Sequence, residues 1–267
     1  MNGQMRTFVL GMIGVPLVLA LVFLSVYGEQ AGAIVARIVP RVSMLLTGSA
    51  DFSSLGGGFL ANIVISFWAM AIALVAGAVL GTGLIARSSL VRLPSSLVMN
   101  LLRNSPWLVV LFAMLYLLPF EIEVFGLTVS LSPAVKAVIG LALPVTANIA
   151  EIFRGGVQAI PSGQWESASS LGYRRLQILR HVVIPQALPL MVPNLMTMYA
   201  MLFIGTSLVV VTGANDVLSV ARTIIAVDGE AVATAIYIFV LLLFFLFCFP
   251  IAILTRRLEH RVGTAHP

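Results

Sequence analysis

Long apolar runs recur along the chain at residues 8–27, 59–86, 131–150, 190–212 and 232–254, and a sixth, 97–119, is interrupted in its middle. Each approaches the roughly 20 residues that an α-helix needs to cross the hydrocarbon core of a bilayer. The runs are continuously apolar, whereas strands of a membrane barrel alternate apolar and polar over segments of about ten residues, so the pattern predicts helices. The fold class expected is all-α, a polytopic transmembrane helix bundle. Between the first two runs the chain is moderately apolar but carries Arg37, Pro40, Arg41 and a Gly/Ser-rich end. That stretch predicts a surface-lying helix followed by a flexible joint, which marks residues 1–58 as an appendage ahead of the main bundle.

Composition agrees with this reading: of 267 residues, 60% are hydrophobic and 9% charged, against about 25% charged in soluble domains. Lys and Arg total 15 against 10 Asp and Glu. A basic surplus can signal nucleic acid, but topology accounts for it better, and no nucleic-acid partner is expected. If successive connections alternate sides, Arg6, Arg87, Arg92, Arg154, Arg174, Arg175, Arg180, Arg256, Arg257 and Arg261 share one side. The other side holds Arg37, Arg41 and Arg222 with Glu29, Asp51, Glu121, Glu123, Asp216, Asp228 and Glu230. Positive charge near span ends is retained in the cytoplasm, so the first side is cytoplasmic, with both termini. A short basic start and Ala31-Gly32-Ala33 also suit a signal peptide, but the length of the first run favours a retained span. The single cysteine, Cys248, can form no intrachain disulfide and reads as a small packing residue.

One polar stretch, from Trp165 to Pro189, stands apart from the apolar runs. Pro161-Ser162-Gly163 opens a short helix with Glu166 near its positive end, and Gly172 closes it as the residue best able to adopt a left-handed cap. A second short helix follows, with Leu176, Leu179 and Val183 on one face and Arg174, Arg175 and Arg180 on others. Pro185 cannot donate a helical hydrogen bond, and Pro189 and Pro193 shape the entry to the next span. Small residues at Ser167, Ala168, Ser169 and Ser170 would let a partner's surface approach closely. The spacing alone leaves two readings open, an amphipathic interfacial loop or a knob that fits a socket on another protein.

The full spacing, Glu166-Ser167-Ala168, three residues, Gly172, nine residues, then Val182-Val183-Ile184-Pro185, resembles the E-A-A-x3-G-x9-I-x-L-P signature of permease subunits of bacterial ABC importers. Ser167, Val182 and Ile184 are small departures from it. Upstream, the stretch from Ala150 to Glu166 is similar to that of the polar amino-acid uptake branch, the permeases for histidine, glutamine, glutamate, arginine and opines. The resemblance runs from about Phe59 to Arg261. It implies a five-helix permease core at 59–261, a coupling loop at 151–185, an added N-terminal span and a cytoplasmic tail at 262–267. It also implies that Glu166, Ser167, Ala168, Gly172 and Pro185 serve a coupling helix that docks on an ATP-binding subunit. The partners implied are two ATPase subunits, a second permease, identical or homologous, an extracytoplasmic solute-binding protein, membrane lipid and a polar amino-acid substrate. The setting implied is a bacterial inner membrane. Departures from the family pattern at Leu143-Pro144-Val145 and at Ile204-Gly205 remove polar groups from helices that the resemblance implies line the pathway.

Arg103 sits in an apolar span, where an uncompensated charge costs at least about 2.5–3.5 kcal/mol. It must face water, a carboxylate or the bundle interior, or snorkel to the headgroups. Pro106 breaks the same helix, as discontinuous helices do at transport pathways. Arg103, Asn148 and Asn194 are the pathway candidates, although Asn148, Asn194 and Thr197 equally suit interhelical hydrogen bonding. Lys136, the one lysine, is expected to snorkel. Gly77 and Gly81 form a G-x-x-x-G pair suited to close helix packing. No catalytic residues are indicated: there is no phosphate-binding G-x-x-x-x-G-K-[ST] loop, no H-E-x-x-H helix and no G-x-S-x-G elbow. No cofactor or metal is expected on this chain, and ATP and Mg would belong to the partner ATPase. The rival class, an ion-coupled secondary transporter or channel, would call for intramembrane acids, whereas the acids here fall near span ends or in loops.

Overall fold

A computed structural model describes residues 3–50, 56–124 and 127–263. Asp51 and the tail beyond residue 263, with His266, lie outside the described residues, as do the side chains of Arg6, His260 and Arg261. Helices account for the apolar runs: α1 (Gly3–Tyr27), α4 (Gly58–Leu84), α7 (Pro133–Gln158), α10 (Ile184–Gly205) and α12 (Ala233–Gly263). Between α1 and α4 lie α2 (Ala31–Ile38) and α3 (Val42–Thr47). The broken run becomes α5 (Ser89–Arg103) and α6 (Trp107–Leu117), which bend by 101° where Asn104, Ser105 and Pro106 interrupt them. Among the described residues, five helical stretches are long and apolar enough to cross a membrane, and the bent pair would make a sixth. Among the described residues, one feature departs from an all-helical chain, a small hairpin of β1 (Glu121–Val124) and β2 (Leu127–Ser130) after α6, paired antiparallel with Glu121 opposite Ser130.

The most enclosed helix is α7, packed by α4, α5, α6 and α10. Its approach to α4 is close because Gly77 and Gly81 present no side chains to Ile149 and Phe153. This is the contact expected of the G-x-x-x-G pair. Farther along α4, Phe59 meets Phe203 edge-on at 5.6 Å between centroids, and Phe203 stacks on Phe247 of α12 at 3.9 Å. Asn62, fully buried, donates from Nδ2 to Thr206 Oγ1 at 3.0 Å and accepts from the Val217 N–H at 3.0 Å. That one amide joins α4, the end of α10 and the start of α11 (Val217–Asp228).

The appendage is tied to the bundle at one end. Tyr27 Oη donates to the Ala231 carbonyl at 2.8 Å, and Arg41 grips the Asp228 carboxylate with two hydrogen bonds of 2.9 and 2.8 Å. The pairing holds the Asp228 carboxyl below its ordinary pKa. Of the stretch expected to form a flexible joint, residues 51–55 lie outside the described residues and Gly56 meets nothing within 4 Å, but Gly48, Gly57 and Gly58 are tightly packed. A Cβ on Gly48 would meet Gly57 Cα at 2.7 Å, the Gly58 N–H donates to the Asn215 carbonyl at 2.9 Å, and Gly48 and Gly58 hold φ of +81° and +61°. Asp216, counted above among the acids of one side, is buried as the N-cap of α11 and accepts from the Ser219 N–H at 3.1 Å. Arg37 and Arg41, sorted in the sequence to the same side as Asp228, both reach that residue, while Arg175, sorted to the other side, donates to the Ile85 carbonyl at 2.9 Å.

Lys136 differs from expectation. It does not snorkel but is fully buried in the first turn of α7. Its Nζ donates to the Leu118 carbonyl at 2.7 Å and the Leu115 carbonyl at 3.2 Å, and lies 3.5 Å from the centre of the Phe120 ring. The carbonyls that end a helix have no intrahelical donors, so a cation there satisfies them and opposes the negative end of the dipole.

Candidate functional site

Helix α7 runs eight residues past the apolar run that predicted it, because Glu151 and Arg154, one turn apart, pair along its surface. A short turn leads into α8 (Ser162–Ser170), with Pro161 at the N-cap position and no side-chain cap. Ala168 is buried, and around it pack Val157, Ile160, Ile178, Val183, Ala187 and Met191, which root the loop on α7 and α10. The helix closes in a Schellman arrangement: the Tyr173 N–H bonds the Ala168 carbonyl at 3.2 Å, the Gly172 N–H bonds Ser169 at 2.9 Å, and Gly172 takes φ +83°. Gly172 thus sits where an L side chain is strained. Glu166 occupies the second turn of α8, not its first, so the helix-end stabilisation expected of it is weak. Its carboxylate, like the Ser167 side chain, is exposed, with no hydrogen bond or ion pair among the described residues.

The second helix of the loop, α9 (Arg175–Ile178), continues through a wide turn into α10. In that turn the Ile184 N–H reaches back five residues to Leu179. The extra residue rotates the preceding segment: Ile178 and Val183 are buried, whereas Leu176, expected on their face, is 74% exposed. Leu171 at 78% and Tyr173 at 45% join it, so the corner presents apolar side chains beside Glu166 and Ser167. The spacing argument did not find Leu171 and Tyr173, and an apolar residue flanking a glycine corner in an otherwise polar loop was the available signal. Pro185 lies in the first turn of α10, with Pro189 and Pro193 inside the helix at four-residue intervals.

Of the pathway candidates, Arg103 reaches a carboxylate. Its Nη1 lies 3.9 Å from Glu151 Oε1, while Arg154 bonds the same carboxylate from Nε at 2.9 Å. The arginine before the helix break and the Glu-x-x-Arg of α7 are therefore one cluster, at the base of the loop. Asn148 turns back on its own helix, donating to the Pro144 carbonyl at 2.8 Å. Asn194 is exposed on α10 with Thr197.

Residues 73–264 match the family model described as "Binding-protein-dependent transport system inner membrane component". The chain is 34% identical over 212 residues to the inner membrane amino-acid ABC transporter permease protein YhdY of Escherichia coli K12, a match covering 78% of this chain and 56% of that protein. It is 32% identical over 212 residues to the glutamate/glutamine/aspartate/asparagine transport system permease protein BztC of Rhodobacter capsulatus, covering 79% and 48%. The chain thus spans about half the length of these curated relatives. A crystal structure of an amino acid ABC transporter with histidines superposes with a TM-score of 0.66 at 26% identity, covering 76% of this chain and 92% of that one. The helical architecture and the extent of the family match together make this multi-pass membrane chain a member of the family of binding-protein-dependent transport system inner membrane components.

Proposed function

We propose that the chain is the permease subunit of an ABC importer for a polar amino acid or related compound. It pairs with a second permease and couples to two separate ATPase subunits through the corner at Gly172, with a solute-binding protein delivering substrate at the far end. The observation that carries this reading is the corner itself, a short helix closed by a left-handed glycine, anchored through Ala168 and presenting Glu166, Ser167, Leu171 and Tyr173 outward. The relatives' names, which speak of amino acids, support the substrate class. The end bearing the corner, with Arg87, Arg92, Arg154, Arg175 and Arg180, faces the cytoplasm by the distribution of basic residues.

An ion-coupled carrier is less well supported, because Glu151, the carboxylate within α7, is already engaged by Arg154 and Arg103 and is not free to take up a coupling ion. The experiment is co-purification of this chain, wild type and Gly172→Asp, with the cognate ATPase, followed by ATP hydrolysis in lipid with and without the solute-binding protein. The wild type should retain the ATPase and respond to loaded binding protein, and the variant should lose the ATPase while remaining in the membrane. Equal retention by both chains, or by neither, would refute coupling at this corner.

A further inference from the structure

The end of the bundle that carries the corner also holds an electropositive cavity that the transport reading leaves unused. A space of about 450 Å³ between α4, α5 and α7 is lined by Arg92, Ser96, Asn100, Arg103, Glu151 and Arg154. Its one carboxylate is engaged by Arg154 and reaches Arg103 only at 3.9 Å, while the Arg92 side chain has no hydrogen bond or ion pair among the described residues. Three arginines and one carboxylate thus line the same space, an excess of two positive charges. A second space of about 440 Å³ shares Arg92 and Gln158 and continues to Arg175 and Trp165 of the loop.

What sits outside the cavity narrows the ligand. The outward face of α5 is a stripe of Leu90, Leu93, Leu97 and Leu101, between 61% and 86% exposed. Leu93 belongs both to that stripe and to the cavity lining. A helix with arginine, serine and asparagine on one side and exposed leucines on the other lies at the level where headgroups meet acyl chains. Basic pockets between membrane helices at that level suit phosphate-bearing headgroups, and guanidinium matches phosphate oxygens with paired donors. We propose that this cavity holds the phosphodiester of one anionic phospholipid, with its acyl chains along Leu93, Leu97 and Leu101. The leaflet follows from the orientation given above, whereas the binding itself depends on neither the substrate nor the ATPase.

The test is native mass spectrometry of the full-length chain released from vesicles of phosphatidylglycerol and phosphatidylcholine, counting retained lipids for wild type, Arg92→Gln, Arg92→Gln/Arg103→Gln and Arg257→Gln. The Arg92 side chain has no partner among the described residues and Arg154 keeps Glu151 satisfied in the double variant, so the fold should survive, and an unchanged melting profile checks this. Retention of phosphatidylglycerol should fall about fivefold for each cavity arginine removed. Arg257→Gln, exposed at the same end but outside the cavity, should retain it as the wild type does. Equal retention by the double variant would overturn the proposal, as it would if a second permease copy covered the leucine stripe. Displacement of the lipid by inorganic phosphate at constant ionic strength would overturn the lipid assignment in favour of a free-phosphate site.

Discussion

Replacing Gly77 with alanine should loosen the contact between α4 and α7. The added Cβ would lie 2.6 Å from Ile149 Cγ2, 2.7 Å from Ile149 Cβ and 2.9 Å from the Thr146 carbonyl oxygen. Carbon atoms pack at about 3.5–4.0 Å, so the helices must part by roughly 1 Å locally. Neither neighbour can yield. Ile149 is buried and β-branched, with its χ1 confined in a helix, and the oxygen is backbone. Overpacking of this kind costs about 1–3 kcal/mol, set against the gain of about 0.5–1 kcal/mol that alanine brings over glycine within a helix. Gly155→Ala in α7 supplies the same gain with nothing within 4 Å of its Cβ, so comparing the two variants isolates the clash. For a chain of this size the difference corresponds to about 2–12 °C in melting midpoint. The assay is thermal unfolding in one detergent followed by tryptophan fluorescence. Gly81→Ala should fall between the two, because its shortest contact, 2.7 Å, is with the ring of Phe153, which can turn, although Phe153 Cβ at 2.9 Å cannot. If Gly77→Ala and Gly155→Ala melt together, close glycine packing is not what holds α4 to α7.

Other outcomes follow from the geometry. An amine-reactive reagent should leave Lys136 unlabelled in the folded chain and label it after denaturation, read by peptide mass spectrometry. Lys136→Met, which strands the Leu115 and Leu118 carbonyls, should destabilise by about 1–3 kcal/mol, and labelling of the native chain at the denatured rate would contradict the burial. Because Arg41 lowers the pKa of Asp228, the stability this pair contributes is present above the ordinary carboxylate pKa and is lost as pH falls through the lowered value. Limited proteolysis around residue 41 should accelerate on acidification in the wild type, while Asp228→Asn should already be fast at neutral pH and change little. At Gly172, where φ is +83° and no atom lies within 4 Å of an added Cβ, the cost of substitution is conformational. Gly172→Asn should therefore retain more ATPase on co-purification than Gly172→Val, and the reverse order would show that the left-handed backbone is not what the corner requires.

The spans were legible because runs of apolar residues have no other economical use, and the Gly172 cap because glycine at that point has a specific backbone meaning. What escaped depended on contacts between distant segments or on local winding. Leu176 was placed on the buried face by regular helical spacing, which one wide turn before Ile184 shifted. Lys136 looked like a snorkelling cation because the carbonyls it satisfies end a helix some twenty residues upstream. Gly48, Gly57 and Gly58 have the composition of a linker, yet their lack of side chains lets Gly48 and Gly57 approach Asn215 and Gly58 approach the Leu45 carbonyl. The pairing of Arg103 with Glu151 joins two segments that are individually visible as motifs, but their meeting is a property of how α5 folds back on α7. The hairpin at Glu121–Ser130 carried an alternation of charged and branched residues that a search for short strands would have registered.

The prolines of α10 have a mechanical consequence. Pro185, Pro189 and Pro193 are spaced so that the three missing N–H donors fall nearly in line along one side, over about 12 Å of helix. Immediately before them the chain is already wound more loosely through Leu179–Val183. A helix stripped of rungs on one side is a beam with a soft edge, and it flexes in one plane more readily than in others. A load at the Gly172 corner would therefore spread as curvature over the first turns of α10 instead of passing rigidly to Gly205, which leaves the two ends of the same helix mechanically separate.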